Sequence, residues 1–346
     1  MKAEGKLLHL YNQWSGHEVR TIVPLPQSGS SRSYFRLTSD QGSAIGAYHT
    51  DDAENQAFVY FARHFKNQGL AVPEILAEDL DNQIYLQQDL GDQTLFAQLQ
   101  DCQEVKDDDC MAYLNQAVDG LPFFQKLAHQ NLNYSLAYPR QAFDAQSMRW
   151  DLNYFKYHFL KFTGLNFKEQ KLENDFDEMI RVLDGAEKNF FLYRDFQTRN
   201  IMIHDNKVWF IDFQGGRMGH PAYDLASLLF DAKADIPPNL REVLFERYMV
   251  QLKAIPEINA DNFRKYYPGF VLIRKLQALG AFGFRGLFEG KTHFLQSIPY
   301  ALDNFTWILE NYSFPFKFPE LRRLLKEMAN SRFRYDIEER IKKVEV

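Results

Sequence analysis

Asp195, Asn200 and Asp212 are the residues of this chain whose types and spacing best suit chemistry. Four residues separate Asp195 from Asn200 in YRDFQTRN, and eleven more lie between Asn200 and Asp212 in IDFQ. Phosphoryl transfer needs such a set: a carboxylate to orient a hydroxyl and take its proton, and two oxygen ligands for a hard divalent cation. Asp and Asn are common loop residues, and D-x-x-x-x-N alone arises by chance in many proteins. The second Asp, closing what reads as a β-hairpin, makes chance a poor explanation.

The elements that must position these groups follow from periodicity. Ile201–His204 and Val208–Asp212 are short apolar runs joined by Asp205, Asn206 and Lys207, a tight-turn sequence. Helical spacing surrounds them, with helices expected near 111–130, 146–163, 173–188, 222–231, 239–253, 261–289 and 298–311. The first 90 residues read differently. A short helix over 1–14 precedes an alternating stretch, Thr21 to His49, with turn signals at Gly29 and at Asp40-Gln41-Gly42, which predicts an antiparallel meander. An amphipathic helix, AENQAFVYFARHFKNQG, comes next, then two strands around Asp81-Asn82. The expectation is an α+β chain with a small sheet lobe over 1–90 and a mainly helical lobe over 91–346. Asp224, in the first turn of the apolar helix of GHPAYDLASLL, suits the positive helix end and suits an acid that tethers a catalytic loop from behind.

Bulk composition narrows the class. At 346 residues the chain exceeds the roughly 250–300 at which one core stops growing. With 45% hydrophobic and 25% charged residues it reads as globular, and a net charge of −6 offers no counterion-displacing face for nucleic acid. The 31 phenylalanines are spread along the chain, as core filling is. Cys102 and Cys110, two cysteines without a neighbouring His, make neither a disulfide framework nor a zinc site, so free thiols are expected. The N-terminal stretch lacks the apolar core of a signal peptide, and no run reaches the ~20 apolar residues of a membrane span. A cytoplasmic protein with no membrane partner is the expectation, and SRFRYDIEERIKKVEV reads as a solvated terminal helix.

LYRDFQTRNIM and VWFIDFQGGRMGHPAYDLASLL resemble the catalytic segment of the aminoglycoside-phosphotransferase and choline-kinase superfamily. More narrowly, SSRSYFRL, VPEILAEDL, YLQQDLGDQTL and LIRKLQALGAFGFRGLFEGKTHFLQSIPYAL resemble the bacterial anomeric kinases of N-acetylmuramate and N-acetylglucosamine. The resemblance implies a bilobal kinase-like fold, ATP and Mg²⁺ as cofactors, Asp195 as base, Asn200 and Asp212 as metal ligands, and a small-molecule acceptor, an amino sugar. It places the phosphate cradle in Gly29, Ser30, Ser31 and Arg32, and adenine at a hinge around Gln88 and Leu90.

Two departures stand out. Tyr193 occupies a position usually held by His, with packing expected there. The third strand, SAIGAYH, has no lysine to pair with phosphate and with a helix acid. Glu54 is the candidate acid, His49 or a residue elsewhere its partner, and Arg32 the candidate replacement cation. Arg199, Gln214 and Arg274 are candidate substrate contacts. The bases Arg274, Lys275, Arg285 and Lys291 favour a neutral or anionic acceptor over the alternative, an amino alcohol or aminoglycoside. A third reading, a nucleotide-binding pseudokinase, is motivated by the missing lysine and opposed by the intact Asp195–Asn200–Asp212 set.

Overall fold

The computed structural model describes residues 2–26, 32–102 and 108–344. It divides into two compact units, residues 1–141 with 193–217, and residues 142–192 with 218–346. This division differs from lobes split at residue 90. Packing carries the first unit on through a long helix and returns to collect the hairpin, through aromatic contacts that link it to that helix.

In the first unit, helix α1 (Ala3–Ser15) precedes strands β1 (Thr21–Pro24), β2 (Ser33–Ser39) and β3 (Gly42–Tyr48). Helix α2 (Asp52–Asn67) follows, then β4 (Ile75–Asp79) and β5 (Ile84–Gln88). The sheet order is β1-β2-β3-β5-β4, antiparallel throughout, as the alternation predicts. Period two sorts the β2 side chains: Phe35 and Leu37 are buried with Leu7, Leu10 and Tyr11 of α1, while Tyr34 and Arg36 take the other face. α1 lies close enough that Gly46, paired with Phe35, is needed: a Cβ there would come within 2.8 Å of Leu37 and Leu7. Asp51 caps α2 by accepting from the Ala53 and Glu54 amides.

Two further helices, α3 (Leu95–Asp101) and α4 (Asp108–His129), complete this unit. α3 has no counterpart among the expected helices; it is seven residues long, too short for periodicity to reveal. Cys102 and Cys110 are joined in a disulfide, which corrects the expectation of free thiols. The end of α3 and the first turn of α4 bring their Cα atoms to 6.8 Å, within the span such a bond bridges. The hairpin pairs Ile201–His204 with Lys207–Phe210. Asp205 and Asn206 both take positive φ, 50° and 57°, as the favoured two-residue hairpin turn demands.

The second unit is mainly helical. Helix α5 (Ala145–Phe155) continues through a π turn (Lys156–Leu160) into α6 (Lys161–Thr163), followed by α7 (Glu169–Asp184) and the short strand Phe190–Leu192. After residue 217 come α8 (Ala222–Leu229), α9 (Pro238–Leu252), α10 (Ala260–Gly283), α11 (Ile298–Asn311), α12 (Pro319–Met328) and α13 (Ser331–Val344). α10 is the axis, buried along most of its length against α5 and α8. Its crossing with the chain after α5 is so tight that a Cβ at Gly283 would run into the His158 carbonyl. The terminal helix α13 is present, and Ile337 and Ile341 on it are buried, so it packs on one side. Among the described residues, no helix is long and apolar enough to cross a membrane.

Candidate active site

Asp195, Asn200 and Asp212 are drawn together by one chain of hydrogen bonds. The Gln197 amide donates to the Asp195 carbonyl (2.9 Å), and the Asn200 amide donates to the Gln197 carbonyl (2.9 Å), winding the loop into a turn. Asn200 Nδ2 then donates both to the Asp195 carbonyl (2.8 Å) and to Asp212 Oδ2 (3.2 Å). The Ile211 amide closes on the Asn200 carbonyl at 3.0 Å. Asp212 itself lies two residues past the hairpin strand, at φ +67°, and Arg194, next to Asp195, is at φ +82°. Non-glycine residues hold such conformations only where their surroundings fix them, commonly at functional sites. Helix α3 packs against the turn that carries Asn200. The Ile203 amide of the hairpin donates to the Gln93 carbonyl just before that helix.

This donor set fits a hard divalent cation. With Nδ2 of Asn200 engaged as a donor, its Oδ1 remains as an oxygen ligand, and the Asp212 carboxylate keeps lone pairs beyond those its amide donors use.

Arg32 and Glu54 form the ion pair that the third strand does not supply. Arg32 Nη2 meets Glu54 Oε1 at 3.0 Å, and His49 Nδ1 lies 3.7 Å from Glu54 Oε2. The cation therefore comes from the start of β2. It is 2% exposed, its guanidinium packed over the rings of Phe58 (5.5 Å) and Tyr85 (6.0 Å). Burial, opposed by the Arg32 cation and aided by the Asp212 charge, pushes the Tyr34 hydroxyl above its ordinary range, and burial pushes Tyr85 well above, so both stay protonated at neutral pH.

An aromatic stack connects this pair to Asp212. Phe58 of α2 lies against Tyr85 (5.0 Å) on one side and against Phe213, the residue after Asp212, on the other (4.9 Å, interplanar 1°). Phe213 and Tyr193 both continue into Phe65 and Phe124. Tyr193 is fully buried and its hydroxyl donates to the Ile211 carbonyl, which is packing, as expected of that position.

Residues 21–257 match the model of the phosphotransferase enzyme family, APH. The chain belongs to this family. It is a small-molecule kinase, an ATP-dependent phosphotransferase. Over 291 residues it is 27% identical to the N-acetylmuramate/N-acetylglucosamine kinase of Neisseria meningitidis serogroup B, covering 82% of this chain and 84% of that one. The Caulobacter vibrioides protein of the same name is 27% identical over 287 residues, 80% and 75% of the two chains. Among solved structures, amicoumacin kinase hAmiN in complex with AMP-PNP, Ca²⁺ and Ami superposes with a TM-score of 0.59 at 14% identity, over 87% of this chain and 91% of that one. The fold is thus the kinase-like one of the aminoglycoside phosphotransferases.

The other candidate residues of this phosphotransferase fall in several places. Gly29, Ser30 and Ser31 lie outside the described residues. Leu90 is 5% exposed, just past β5. The Gln88 amide already donates to the Glu74 carbonyl (2.8 Å), so that donor serves the sheet and not adenine. Arg199 is exposed beside Asn200. Gln214 donates through Nε2 to Asp212 Oδ1 (2.8 Å), an orienting contact that its position in DFQ does not disclose. Asp224 is fully buried in the first turn of α8.

Arg274 is the clearest departure. It is 5% exposed, with Nε on Ser227 Oγ (3.0 Å) and Nη1 on Gln277 Oε1 (2.7 Å). Through these bonds it ties α8 to α10. Lys275 beside it is buried on the Phe230 carbonyl, and Arg285 and Lys291 both pair with Glu289. Sequence reasoning missed Tyr34, Tyr85, Phe58 and Gln197. For Tyr34 a signal existed: two residues from Arg32 on an alternating stretch, it must share that residue's face.

Proposed function

We propose that this chain is a sugar 1-kinase, transferring the γ-phosphoryl group of ATP to the anomeric hydroxyl of N-acetylmuramate or N-acetylglucosamine. The observation that carries the reading is the hydrogen-bonded set of Asp195, Asn200 and Asp212. The names of relatives matched over four-fifths of the chain support the acceptor.

Asp195 orients the anomeric hydroxyl and takes its proton as the oxygen bonds to the γ-phosphorus and the bond to ADP breaks. An anomeric hydroxyl is more acidic than an ordinary alcohol, so an aligned carboxylate of modest basicity suffices. Asn200 Oδ1 and the Asp212 carboxylate hold magnesium, which when bound neutralises charge developing on the phosphates. Arg32, fixed by Glu54, supplies the phosphate-side cation together with the cradle at Gly29, Ser30 and Ser31. Leu90 borders adenine, and Arg199 reaches phosphate or substrate.

The test is a panel of acceptors with Mg-ATP. Sugar 1-phosphate should form from N-acetylmuramate or N-acetylglucosamine, while the 1-O-methyl glycosides, choline and aminoglycosides should be inert. Phosphorylation of the methyl glycoside at the rate of the free sugar overturns the anomeric assignment. Asp195→Ala should lower kcat by about 10²–10⁴-fold with ATP still bound; more than a tenth of wild-type kcat would remove Asp195 as base.

A further inference from the structure

Two glutamines flanking the hairpin carry amide oxygens that the protein leaves without a donor. Gln197 is 8% exposed and Gln214 9% exposed, and Oε1 of each meets no protein hydrogen bond. The orientation at Gln214 is fixed chemically: its Nε2 donates to Asp212 Oδ1, since a carboxylate accepts and does not donate, so the other end is oxygen. Gln197 is immobilised through its backbone, amide to Asp195 and carbonyl from Asn200. Its side chain has no part in holding the loop.

A buried acceptor without a donor costs about 1–3 kcal/mol. Such groups are rare, and each calls for an explanation. Asn55 and Gln87 also carry such oxygens, but on α2 and β5. Those of Gln197 and Gln214 flank the Asp195–Asn200–Asp212 set from both of its strands of chain. Neutral amide oxygens suit neutral donors, the hydroxyls and acetamido N–H of a sugar ring; an ammonium would call for carboxylates.

We propose that Gln197 and Gln214 determine acceptor specificity, each amide oxygen taking a hydrogen bond from a donor group of the sugar next to the hydroxyl that is phosphorylated. This rests on the sugar-kinase reading and deepens it. A site completed in this way rejects an analogue that lacks the donor, because its own acceptor is then left bare.

The experiment pairs protein and sugar deletions. Wild type, Gln197→Met and Gln214→Met are each assayed with N-acetylglucosamine, with its 6-deoxy analogue and with 2-deoxyglucose, which remove in turn the 6-hydroxyl and the acetamido group, donors that N-acetylmuramate shares. Wild type should lose roughly 5- to 150-fold in kcat/KM on one of these analogues. The matching Met variant should lose a similar factor on the parent sugar and nothing further on that analogue. Titration of Mg-ATP by calorimetry should show wild-type affinity for Gln197→Met, and weaker metal-dependent affinity for Gln214→Met, which also loses its bond to Asp212.

Additive losses in every protein–sugar pair overturn the proposal, and leave solvent as what completes these oxygens. Gln197→Glu, which keeps an acceptor oxygen, guards against misfolding: it should retain discrimination against the analogue, and loss of discrimination there also counts against it. A wild type that phosphorylates an amino alcohol and no sugar overturns this subsite and the sugar-kinase reading together. A wild type that phosphorylates sugars without discriminating among the deoxy analogues overturns the subsite alone.

Discussion

Arg32 of the first unit and the basic cluster around α8 of the second hold buried cations in opposite ways. In the first, Arg32 is matched against the Glu54 carboxylate, with aromatic faces beneath it. Around α8, three buried basic side chains donate to neutral groups: Arg241 to the Ile236 carbonyl, Lys275 to the Phe230 carbonyl, and Arg274 to Ser227 and Gln277. The costs differ accordingly. A buried cation facing a carboxylate recovers much of its desolvation, whereas one facing carbonyls recovers less and its charged form is penalised. Lys275 shows this, its ammonium pushed down to about 7 by burial and then by Arg241 and Arg274. Arg32 keeps a permanent charge in place, whereas the cluster of the second unit uses long basic side chains to tie off the carbonyl ends around α8.

The contrast breaks first at Arg32. Arg32→Ala should remove about 3 kcal/mol or more of stability, since Glu54 loses its partner, and should weaken nucleotide binding. Denaturant unfolding and ATP titration measure the two effects. Arg32→Lys should recover only part, because an ammonium cannot reproduce the planar guanidinium packed on Phe58 and Tyr85. A fully active, fully stable Arg32→Ala would dissolve the distinction between the units.

Lys275 sharpens it from the other side. Its folded-state pKa of about 7 lies below the usual 10.5, so the unfolded chain binds more protons between those values. Stability from this group is therefore present above pH 10.5 and lost as pH falls toward 7, with a slope of at most about 1.4 kcal/mol per pH unit. Lys275→Met should flatten that slope between pH 7.5 and 9.5 without lowering stability at pH 7. An unchanged slope would show that Lys275 remains charged in the fold.

The smallest effect is at His220, fully buried in the second unit, where it stacks on Phe270 and accepts the Ala222 amide at Nδ1. Burial pushes it down to about 3. Its contribution is complete above pH 6.5 and fades below that, by about 1.4 kcal/mol per pH unit, until pH 3 is reached. His220→Asn keeps an acceptor for the amide and should lessen acid sensitivity between pH 6.5 and 5.5, read from thermal midpoints.

How legible all this was depends on range. The meander, α2, the hairpin and α11 rest on local periodicity and turn residues, and the sequence shows them. The proposed catalytic set was legible for the same reason: Asp195, Asn200 and Asp212 lie within eighteen residues of chain, and short-range hydrogen bonds bring them together. The Arg32–Glu54 pair was half legible. Each residue could be nominated alone, but their pairing depends on how β2 faces α2, which alternation does not fix across twenty residues. The bonds that Gln88 and Arg274 already make were hidden for one reason. A type suited to a role says nothing about whether neighbours from distant chain, Glu74 and Ser227, already occupy it. The division into units was hidden likewise, because Phe124 and Phe210 meet across 86 positions.

The sandwich of Phe58 between Tyr85 and Phe213 has a consequence for how this protein can vary over evolutionary time. Three rings from a helix, a strand and the loop after Asp212 share one fixed width, so a change at any of them is tolerated only when another makes room. A smaller residue at 58 leaves a gap on both sides at once, and a larger one at 85 pushes the helix against the neighbour of Asp212. Across descendants of this chain the three positions should therefore drift as a trio, each lineage keeping the summed volume while exchanging which member is large.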